Sequence, residues 1–308
     1  MPPSTSRASK VLSMKDAVAE YVRDGDTVVI EGFTHLICFS AAHEIIRQRR
    51  KGLTLCRLTP DLIYDQMIAA GCAKKLVFSW AGNPGVGSLN AFRSAVEGKG
   101  GGPLEIEEYS HFGMVARLCA GSAGLPFWPL RDFMGTDIPR ANDRIKTVTC
   151  PFTGETLAAV PALRPDVTIV HAQRADEQGN TQIWGLMGVQ KESAFASKNV
   201  IVVVEELVSE ALIRSDPNRT LIPGIVVSAV VVEPFGAHPS YAQGYYDRDN
   251  DFYMAWEKIS NTPEGFKKYL DEYVYGVSGR AEYMAKNKGL AERIKASHQV
   301  CDGVNYGF

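Results

Sequence analysis

The amino-acid sequence predicts an α/β protein with an open, mainly parallel central sheet, flanking helices and a C-terminal helical extension. Short strand-like and helix-like segments alternate along the N-terminal part of the chain, which is typical of βαβ units. Two later segments, 167–173 and 199–206, are nearly unbroken runs rich in β-branched residues. Continuous apolar strands of this kind are usually covered on both faces, as in a parallel sheet.

The individual elements follow from capping residues, hydrophobic spacing and glycine breaks. Ser13 caps a first helix, because Asp16 stands three residues later and apolar residues recur at helical spacing in 14–24. Gly25 ends that helix, and 26–33 is a strand that stops at a glycine turn. The alternation continues with helices at 40–52, 61–71, 89–97 and 114–124, strands at 53–58, 74–81 and 104–110, and a strand followed by a loop within 226–239.

We expect one domain, because no glycine- or serine-rich linker, internal repeat or low-complexity block interrupts the chain. Residues 1–10 are predicted to form a disordered tail. Residues 11–262 form the α/β domain, in which 125–153 is a looser section that contains prolines. Residues 263–308 are predicted to form a helical extension that packs on the same domain.

Composition excludes several classes of function. A formal net charge of −2 over 308 residues leaves no electrostatic footprint for nucleic acid or an anionic membrane. The six cysteines and six histidines lack metal-binding spacings, so we expect no metal site. The polar N-terminus has no signal-peptide core, and no run approaches the ~18 apolar residues that span a bilayer. We therefore expect a cytoplasmic protein.

Ligands of open α/β sheets bind outside the carboxyl ends of the strands. One crevice shared by several strand ends is the functional interpretation. The alternative is that glycine and polar residues occur there only because the chain must turn. The candidate segments are EGFTH (31–35), SWAGNPGVGS (79–88), EYSH (108–111), HAQRADEQGN (171–180) and EE (205–206).

The glycine loop GNPGVGS is the strongest of these candidates. Gly82, Gly85 and Gly87 permit positive φ and a close backbone approach, and the positive end of the next helix is expected to face the same place. Such a loop would hold a phosphate or a carboxylate. It matches no dinucleotide or ATP fingerprint, because Asn90 stands where GxGxxG needs its third glycine and no GK[ST] follows.

Possible acids or bases stand at strand ends, but no nucleophile is apparent. Glu31 and His171 are the first candidates for an acid or base, and the pair Glu205 and Glu206 is the second. A structural or ion-paired role stays open for each of these residues. The nucleophile elbow GxSxG is absent, which disfavours a serine hydrolase of the usual α/β kind.

Long segments of the sequence resemble the A (α) subunits of class I, two-subunit CoA-transferases, of the 3-oxoadipate and glutaconate type. The resemblance runs over most of the chain. It differs before Phe33, where many members have two glycines and this chain has Glu31 and Gly32. The matching segments are GDTVVIEGFTHL (25–36), 58–89, CPFTGE (150–155), 158–176, GNTQIWG (179–185) and GAHPSYAQGYYDRDND (236–251).

The resemblance implies a CoA-transferase (NagB/RpiA-like) fold, a B (β) subunit partner in a heterodimer or heterotetramer, and no tightly bound cofactor. CoA thioesters are the substrates. The implied reaction moves CoA from a donor such as succinyl-CoA to 3-oxoadipate or, next, glutaconate, through a glutamyl-CoA thioester. The reacting glutamate belongs to the β subunit, so no catalytic residue is expected in this chain. A CoA-ester hydrolase or a non-catalytic binding subunit is the alternative.

With that resemblance, we expect the glycine loop and the EGFTH loop to line the acyl pocket. The competing hypothesis is that the glycine loop receives a phosphate of CoA. The expected substrate-binding residues are Gly32, Phe33, Thr34, Ser79, Gly82, Asn83, Pro84, Gly85, Gly87, Ser110, His111, Gln173 and Trp184.

Overall fold

The computed structural model describes residues 8–84, 86–99 and 104–296. The strands are β1 Thr27–Glu31, β2 Leu53–Cys56, β3 Ala73–Phe78, β4 Glu105–Glu108, β5 Phe127–Leu130, β6 Lys146–Thr149, β7 Thr156–Pro161, β8 Val167–Ala175, β9 Thr181–Gln182, β10 Asn199–Leu207, β11 Thr220–Ile222 and β12 Ala229–Val232. The helices are α1 Met14–Tyr21, α2 Phe39–Arg47, α3 Leu62–Ala69, α4 Asn90–Val96, α5 His111–Ser122, α6 Ile138–Ala141, α7 Gln190–Ala196, α8 Glu210–Ser215, α9 Asn250–Ser260, α10 Pro263–Leu270, α11 Arg280–Lys286 and α12 Leu290–Arg293.

The central sheet has the parallel order β12-β10-β8-β1-β2-β3-β4. Two short strands, β9 and β11, add an antiparallel edge beyond the end of β8. Strands β8 and β10 are buried along almost their whole length, as their unbroken apolar sequences predict. The prediction of a mainly parallel sheet with flanking helices is therefore confirmed.

Strand β1 lies in the middle of the sheet and contributes to a core on each face. Val28 and Ile30 point into one core with α2 and α3, whereas Val29 points into a second core with Met114 and Leu118 of α5. This division follows from the two-residue period of a strand. A third core lies under β8, β10 and β12. Burial on both faces leaves the ends of the strands as the places for a ligand.

The section 125–153, predicted to be loose, takes part in a second sheet. Strands β5, β7 and β6 form a three-stranded antiparallel sheet in that order. Its strands are short and mostly half-exposed, and β5 contains Pro129 within FWPL. The prediction was wrong here because a short, exposed strand has no apolar run by which to recognise it.

Helices α9 and α10 pack against the first core, whereas Tyr283 of α11 and Leu290 of α12 are buried in the third. Phe266 and Leu270 of α10 are buried with residues of β1 and α2, and Trp256 of α9 is buried beside them. Helix α9 begins at Asn250, ahead of the predicted start of the helical extension. The end of the predicted extension, 297–308, lies outside the described residues.

Part of the predicted N-terminal tail is bound to the domain. Residues 1–7 lie outside the described residues. The Lys10 amide donates to Glu177 O at 2.9 Å, and Lys10 O accepts from the Val230 amide at the same distance. The prediction of disorder is therefore wrong at Lys10, which pairs beside β12. In the described ranges, no helix is long and apolar enough to cross a membrane.

Candidate active site

The parallel strands bring most of the predicted candidates to one edge of the sheet. Glu31 ends β1, Ser79 follows β3, and Ser110 follows β4 two residues after its end. Gln173 lies inside β8 near its carboxyl end, whereas His171 is the middle residue of β8, so the prediction that it stands at a strand end is wrong. This common edge is what the strand-end argument predicted.

The loop after β1 turns sharply at Gly32. Its φ is +153°, and a Cβ placed there would lie 2.7 Å from Leu36 O, 2.8 Å from His35 O and 2.9 Å from Ile37 N. Because these neighbours are backbone atoms, they cannot move aside cheaply. Only glycine fits at this position. The loop consequently folds back on itself directly beyond the sheet.

Arg57, just beyond β2, fixes this loop through hydrogen bonds to the Gly32 carbonyl oxygen. Its Nε and Nη2 donate to Gly32 O at 3.1 and 2.5 Å, and its Nη1 donates to Asp61 Oδ1 at 3.1 Å. Both partners of the ion pair are buried. Asp61 also accepts from the Ile63 amide as the N-cap of α3. The sequence analysis gives Arg57 no role, because it places this residue inside the predicted strand 53–58, whereas β2 ends at Cys56.

Glu31 is buried against the residue that precedes α7 and is not at an open surface. It is 2% exposed, and its Oε1 accepts from the Val189 amide at 3.4 Å. Burial raises the pKa of the Glu31 carboxyl, although the Arg57 charge acts in the opposite direction. A raised pKa favours the protonated form, which can donate a hydrogen bond.

The next residues present side chains at the edge of the site. Phe33 and Thr34 are partly exposed, and Thr34 has a positive φ of 57°. Its carbonyl oxygen accepts from the Ser240 hydroxyl at 2.8 Å. This hydrogen bond fixes the backbone at Thr34, and both Phe33 and Thr34 remain partly exposed at the edge of the sheet.

His35 ties this loop to two others. Its Nδ1 lies 2.8 Å from Leu186 O, and its Nε2 accepts from the Gln243 amide at 3.0 Å. Burial lowers the pKa of His35 to about 4. A neutral ring with Nδ1 protonated satisfies both contacts, because one nitrogen then donates and the other accepts. His35 therefore acts as a fixed connector between loops.

The side-chain donors of the glycine loop are used inside the chain. The Ser79 hydroxyl donates to Leu58 O at 2.5 Å, and Asn83 Nδ2 donates to Tyr253 O at 2.8 Å. Asn83 is buried, and its Oδ1 has no hydrogen-bond partner within the described ranges. The geometry thus gives no support to Ser79 and Asn83 as donors to an anion.

The glycines of this loop permit close packing against its neighbours. A Cβ on Gly82 would lie 2.6 Å from the Trp80 ring, and a Cβ on Gly87 would lie 2.6 Å from Glu257 Oε2. Pro84 between them is partly buried. Gly85 lies outside the described residues, and the expectation for it stays a prediction.

The start of helix α4 already holds a carboxylate of this chain. Asp65 Oδ1 accepts from the Phe92 amide at 2.9 Å, and Asp65 Oδ2 accepts from Trp256 Nε1 at 3.0 Å. Burial raises the pKa of Asp65 to about 6 even though these donors favour its charge. The expectation that this helix end faces a substrate phosphate or carboxylate is therefore wrong, because Asp65 takes that place.

Ser110 and His111 lie at the start of α5. The Ser110 hydroxyl accepts from the Gly113 amide at 2.9 Å as the N-cap and also contacts Asp132. His111 is exposed. Ser110 consequently has a structural task, whereas the His111 side chain is open to a partner or ligand.

Gln173 and Trp184 contact each other. Gln173 Nε2 donates to Trp184 O at 2.8 Å, and the Trp184 amide donates to Gln173 Oε1 at 3.3 Å. The guanidinium carbons of Arg174 and Arg219 lie 5.4 and 5.3 Å from the Trp184 ring centroid. Gln173 is buried and positions Trp184, whose ring is partly exposed.

His171 belongs to a buried network with Glu205 and Tyr246 that lies beside Cys38, the last residue of the loop after β1. Its Nε2 lies 2.6 Å from Glu205 Oε1, which also accepts from the Tyr246 hydroxyl at 2.6 Å. Glu205 Oε2 accepts from the Phe235 amide at 2.8 Å. Burial alone would lower the pKa of His171, but the neighbouring Cys38 and the hydrogen-bonded Glu205 carboxylate outweigh it and raise the pKa to about 9. The network fits a structural role better than that of a base.

No metal centre accompanies these groups in the part of the chain that is described. Among residues 8–84, 86–99 and 104–296, no group of three or more His, Cys, Asp or Glu side chains is placed to hold a metal ion. The site is therefore built from loop backbone, buried carboxyl groups and aromatic side chains at the edge of the sheet.

Comparison with known proteins identifies the family. The family model described as "Coenzyme A transferase" matches residues 11–233. The chain belongs to the coenzyme A transferase family. The α subunit of 3-oxoadipate CoA-transferase from Pseudomonas knackmussii is 52% identical over 278 residues, which cover 90% of this chain and 98% of that relative. The α subunit of glutaconate CoA-transferase from Acidaminococcus fermentans is 35% identical over 316 residues, which cover 97% of each.

The structural comparison gives the same result for the fold. The crystal structure of glutaconate coenzyme A-transferase from Acidaminococcus fermentans matches with a TM-score of 0.87 and 34% identity, over 94% of this chain and 96% of that one. The protein is thus an enzyme subunit, the α subunit of a CoA-transferase of the 3-oxoadipate and glutaconate type. The resemblance inferred from the sequence motifs is confirmed. Because the relatives are named as one of two subunits, a β subunit partner is implied.

Proposed function

We propose that this CoA-transferase α subunit takes part in moving CoA from succinyl-CoA to 3-oxoadipate, with glutaconate as the next candidate acid. The observation that carries this choice is the 52% identity to the Pseudomonas 3-oxoadipate relative along 90% of the chain. The glutaconate relative is 35% identical, which favours 3-oxoadipate.

The reacting carboxylate is proposed to come from a glutamate of the β subunit. It attacks the thioester carbonyl, so that the C–S bond breaks and an acyl-glutamyl anhydride and CoA thiolate form. The thiolate then attacks the glutamyl carbonyl, which releases the acid and leaves a glutamyl-CoA thioester. The acceptor acid repeats the two steps in reverse and restores the glutamate. A series of easier substitutions at carbonyl carbons thus replaces one difficult direct transfer of CoA between the two acids.

The candidates within this chain support a partner carboxylate. Glu31 is 2% exposed and Glu205 is 8% exposed, and both lie against donors of this same chain. A nucleophile must reach the thioester carbonyl, which these buried positions do not allow. The task proposed for the α subunit is to shape and polarise the acyl pocket.

The pocket is proposed to lie over the loop after β1. Phe33, Thr34 and Trp184 supply partly exposed side chains, and His111 lies at a neighbouring strand end. We propose that the glycine loop forms a wall of this pocket. The Ser79 hydroxyl and the Asn83 amide already donate within the chain, which argues against the alternative that this loop binds a phosphate of CoA.

Coexpression with the β subunit tests the function directly. The purified pair is offered succinyl-CoA or acetyl-CoA together with 3-oxoadipate, glutaconate or acetoacetate, and both exchange and hydrolysis are followed. We expect exchange, fastest with succinyl-CoA and 3-oxoadipate. Hydrolysis without exchange would favour the CoA-ester hydrolase alternative. Full turnover by this chain alone, or a covalent adduct on it, would overturn the proposal.

Assembly provides a second test. A cytoplasmic heterodimer, or a heterotetramer built from two such pairs, is proposed. Gel filtration of the coexpressed pair with mass analysis distinguishes these assemblies from a lone chain. If the β subunit binds while substitutions at the site leave turnover unchanged, the chain is a non-catalytic binding subunit instead.

A further inference from the structure

A hairpin of the second sheet has no task in the proposed acyl pocket. It joins β6 to β7 through residues 150–155, which form the segment CPFTGE. At its tip the Phe152 side chain is 93% exposed, the highest value for a large apolar side chain among the described residues. An aromatic side chain held almost entirely in water is stabilised strongly when a partner buries it.

The hairpin presents Phe152 on a fixed turn. Cys150 O accepts from the Gly154 amide at 2.9 Å, and the Cys150 amide donates to Glu155 O at 2.8 Å. Gly154 has a φ of +71°, a conformation that favours glycine. The Glu155 carboxylate accepts from Nε and Nη2 of Arg131, just beyond β5, at 2.8 and 2.7 Å. A preorganised side chain loses little conformational freedom when it binds, which favours tight binding.

The strands that carry the hairpin are attached to the main domain. Leu130 of β5 and Val160 of β7 are buried in one core with Met114 and Leu118 of α5. Residues of β7 alternate between buried and partly exposed positions, so one face of the second sheet packs on that core. The hairpin therefore extends from a packed base, and its tip faces solvent.

The base of the hairpin lies at the edge of the main sheet where the site residues gather. Arg131, which binds the hairpin, adjoins Asp132, and the Asp132 carboxylate accepts from the Ser110 hydroxyl. Ser110 follows β4, and the Tyr109 amide before it donates to Phe78 O, at the end of β3, at 2.9 Å. The hairpin is thus anchored at the carboxyl edge of the main sheet, on the side of β4.

Other large apolar side chains are exposed at the same side of this edge. Phe112 in the first turn of α5 is 54% exposed, Met134 after β5 is 53% exposed, and Trp80 after β3 is 46% exposed. Each stands two residues along the chain from one of the contacts that anchor the hairpin. Several exposed apolar side chains on one surface indicate a protein–protein contact, and aromatic residues and methionine are enriched in such contacts.

We propose that the hairpin 150–155 is a docking arm for the β subunit and that Phe152 enters an apolar pocket of that subunit. The β subunit is the expected occupant for two reasons. The relatives are named as one of two subunits, so this chain has such a partner. The proposed function also brings the β-subunit glutamate to this edge of the sheet, and the inference rests on it in this respect. The same subunit would then cover Phe112, Met134 and Trp80.

The first experiment measures the Kd between the two subunits. The coexpressed pair is purified and diluted in steps, and sedimentation velocity gives the fraction of intact complex for the wild type, Phe152→Ser and Phe152→Leu. Ile225→Ser is the matched control, because Ile225 is 90% exposed and lies in the short turn Gly224–Val226, away from the hairpin. CoA transfer is followed in the same samples, with and without an excess of β subunit.

We expect Phe152→Ser to raise the Kd about tenfold or more, because it removes an aromatic anchor from the contact. Phe152→Leu keeps an apolar side chain and should stay within about threefold of the wild type. Ile225→Ser should leave the Kd unchanged. An excess of β subunit should restore the kcat of Phe152→Ser to that of the wild type, since the side chain binds the partner and touches no reacting atom.

Photocrosslinking tests the contact without removing the aromatic ring. We replace Phe152 by p-benzoylphenylalanine in the coexpressed pair and irradiate the complex. An adduct between this chain and the β subunit is expected, whereas the same group at Ile225 should give none. This measurement decides the case even if Phe152→Ser lowers the stability of the chain.

Three outcomes would overturn the inference while the proposed function stands. One is an unchanged Kd for Phe152→Ser, and another is an equal rise in Kd for Ile225→Ser. The third is an adduct from position 152 to a second copy of this chain, which would assign the hairpin to the contact between two αβ pairs. A complex that depends on Phe152 but transfers CoA to no acid would instead refute the proposed function and leave the docking arm in place.

Discussion

Arg57 donates two hydrogen bonds to a single backbone oxygen, that of Gly32, with Nε at 3.1 Å and Nη2 at 2.5 Å. The remaining nitrogen, Nη1, reaches Asp61 at 3.1 Å. One buried guanidinium therefore fixes the loop after β1 to the start of α3. The proposed acyl pocket is built on that loop, so its shape depends on an ion pair that no substrate contacts.

Two substitutions of Arg57 should separate the effect of its positive charge from the effect of its guanidinium hydrogen bonds to Gly32 and Asp61. Arg57→Met leaves the Asp61 carboxylate buried without its cation, and we expect the free energy of unfolding to fall by about 3–5 kcal/mol. Arg57→Lys keeps a charge but cannot hold both partners in the same geometry, so it should lose less stability and most of the CoA transfer. Denaturant unfolding and kcat/KM of the coexpressed pair measure the two effects.

The matched control for these variants is Arg214→Lys, because Arg214 forms an exposed ion pair with Glu210. Exposed pairs contribute about 0–1 kcal/mol, so this change should alter neither quantity measurably. An Arg57→Lys variant with the kcat/KM of the wild type would contradict the role given to the guanidinium hydrogen bonds.

Gly32→Ala should abolish the loop that Arg57 holds. The new methyl group would lie within 2.9 Å of three backbone atoms, and φ is +153°. Strain of this kind costs about 1–3 kcal/mol before any displacement of the loop is counted. We expect a lower melting temperature and loss of transfer to every acid, whereas the control Gly279→Ala, at a position where a Cβ meets nothing within 4 Å, keeps both. A variant with normal turnover would show that the loop tolerates another path.

Much of the fold is visible in the sequence because local patterns carry it. The β-branched runs of β8 and β10 are covered on both faces, and Ser13 caps α1 by accepting from the Asp16 amide at 3.1 Å, as its spacing predicts. Glu31 was recognised as a candidate because it ends a strand before a glycine. Such signals depend on neighbours a few residues away, which a single sequence displays directly.

The internal partners of the site were not visible in this way. Asn83 is predicted to be a ligand donor, but its amide donates to Tyr253 O, which is 170 residues away. The start of α4 is predicted to face an anionic ligand, but the Asp65 carboxylate of this chain occupies it. Long-range pairing decides which polar groups stay free, and spacing along the chain does not encode it.

The pairing of His171 with Glu205 predicts a pH dependence of stability. Burial lowers the pKa of His171, but the neighbouring Cys38 and the hydrogen-bonded Glu205 carboxylate outweigh it and raise the pKa from 6.5 to about 9. A group whose pKa is raised by folding stabilises the protein fully below the unfolded pKa, and this stabilisation is lost as the pH rises through the folded pKa. The shift corresponds to roughly 3 kcal/mol.

The loss of unfolding free energy caused by His171→Gln should therefore shrink between about pH 6 and about pH 9. Denaturant unfolding at several pH values measures it. Glu205→Gln removes the charge that favours protonated His171 and should flatten the same dependence. A difference between wild type and His171→Gln that is constant across this range would contradict the assignment.

Asn83→Ala tests whether the glycine loop contacts the acyl group directly or only forms a wall of the proposed acyl pocket. Because Asn83 Nδ2 is bound to Tyr253 O, its removal breaks a buried hydrogen bond and loosens the loop from α9. We expect a loss of about 1–3 kcal/mol in stability, faster hydrogen exchange at 86–88, and a similar fall in kcat/KM for every acid. Asn218→Ala, at an exposed position, serves as the matched control. A selective change between 3-oxoadipate and glutaconate would show instead that Asn83 contacts the acyl group, and a weaker affinity for CoA alone would restore the phosphate hypothesis.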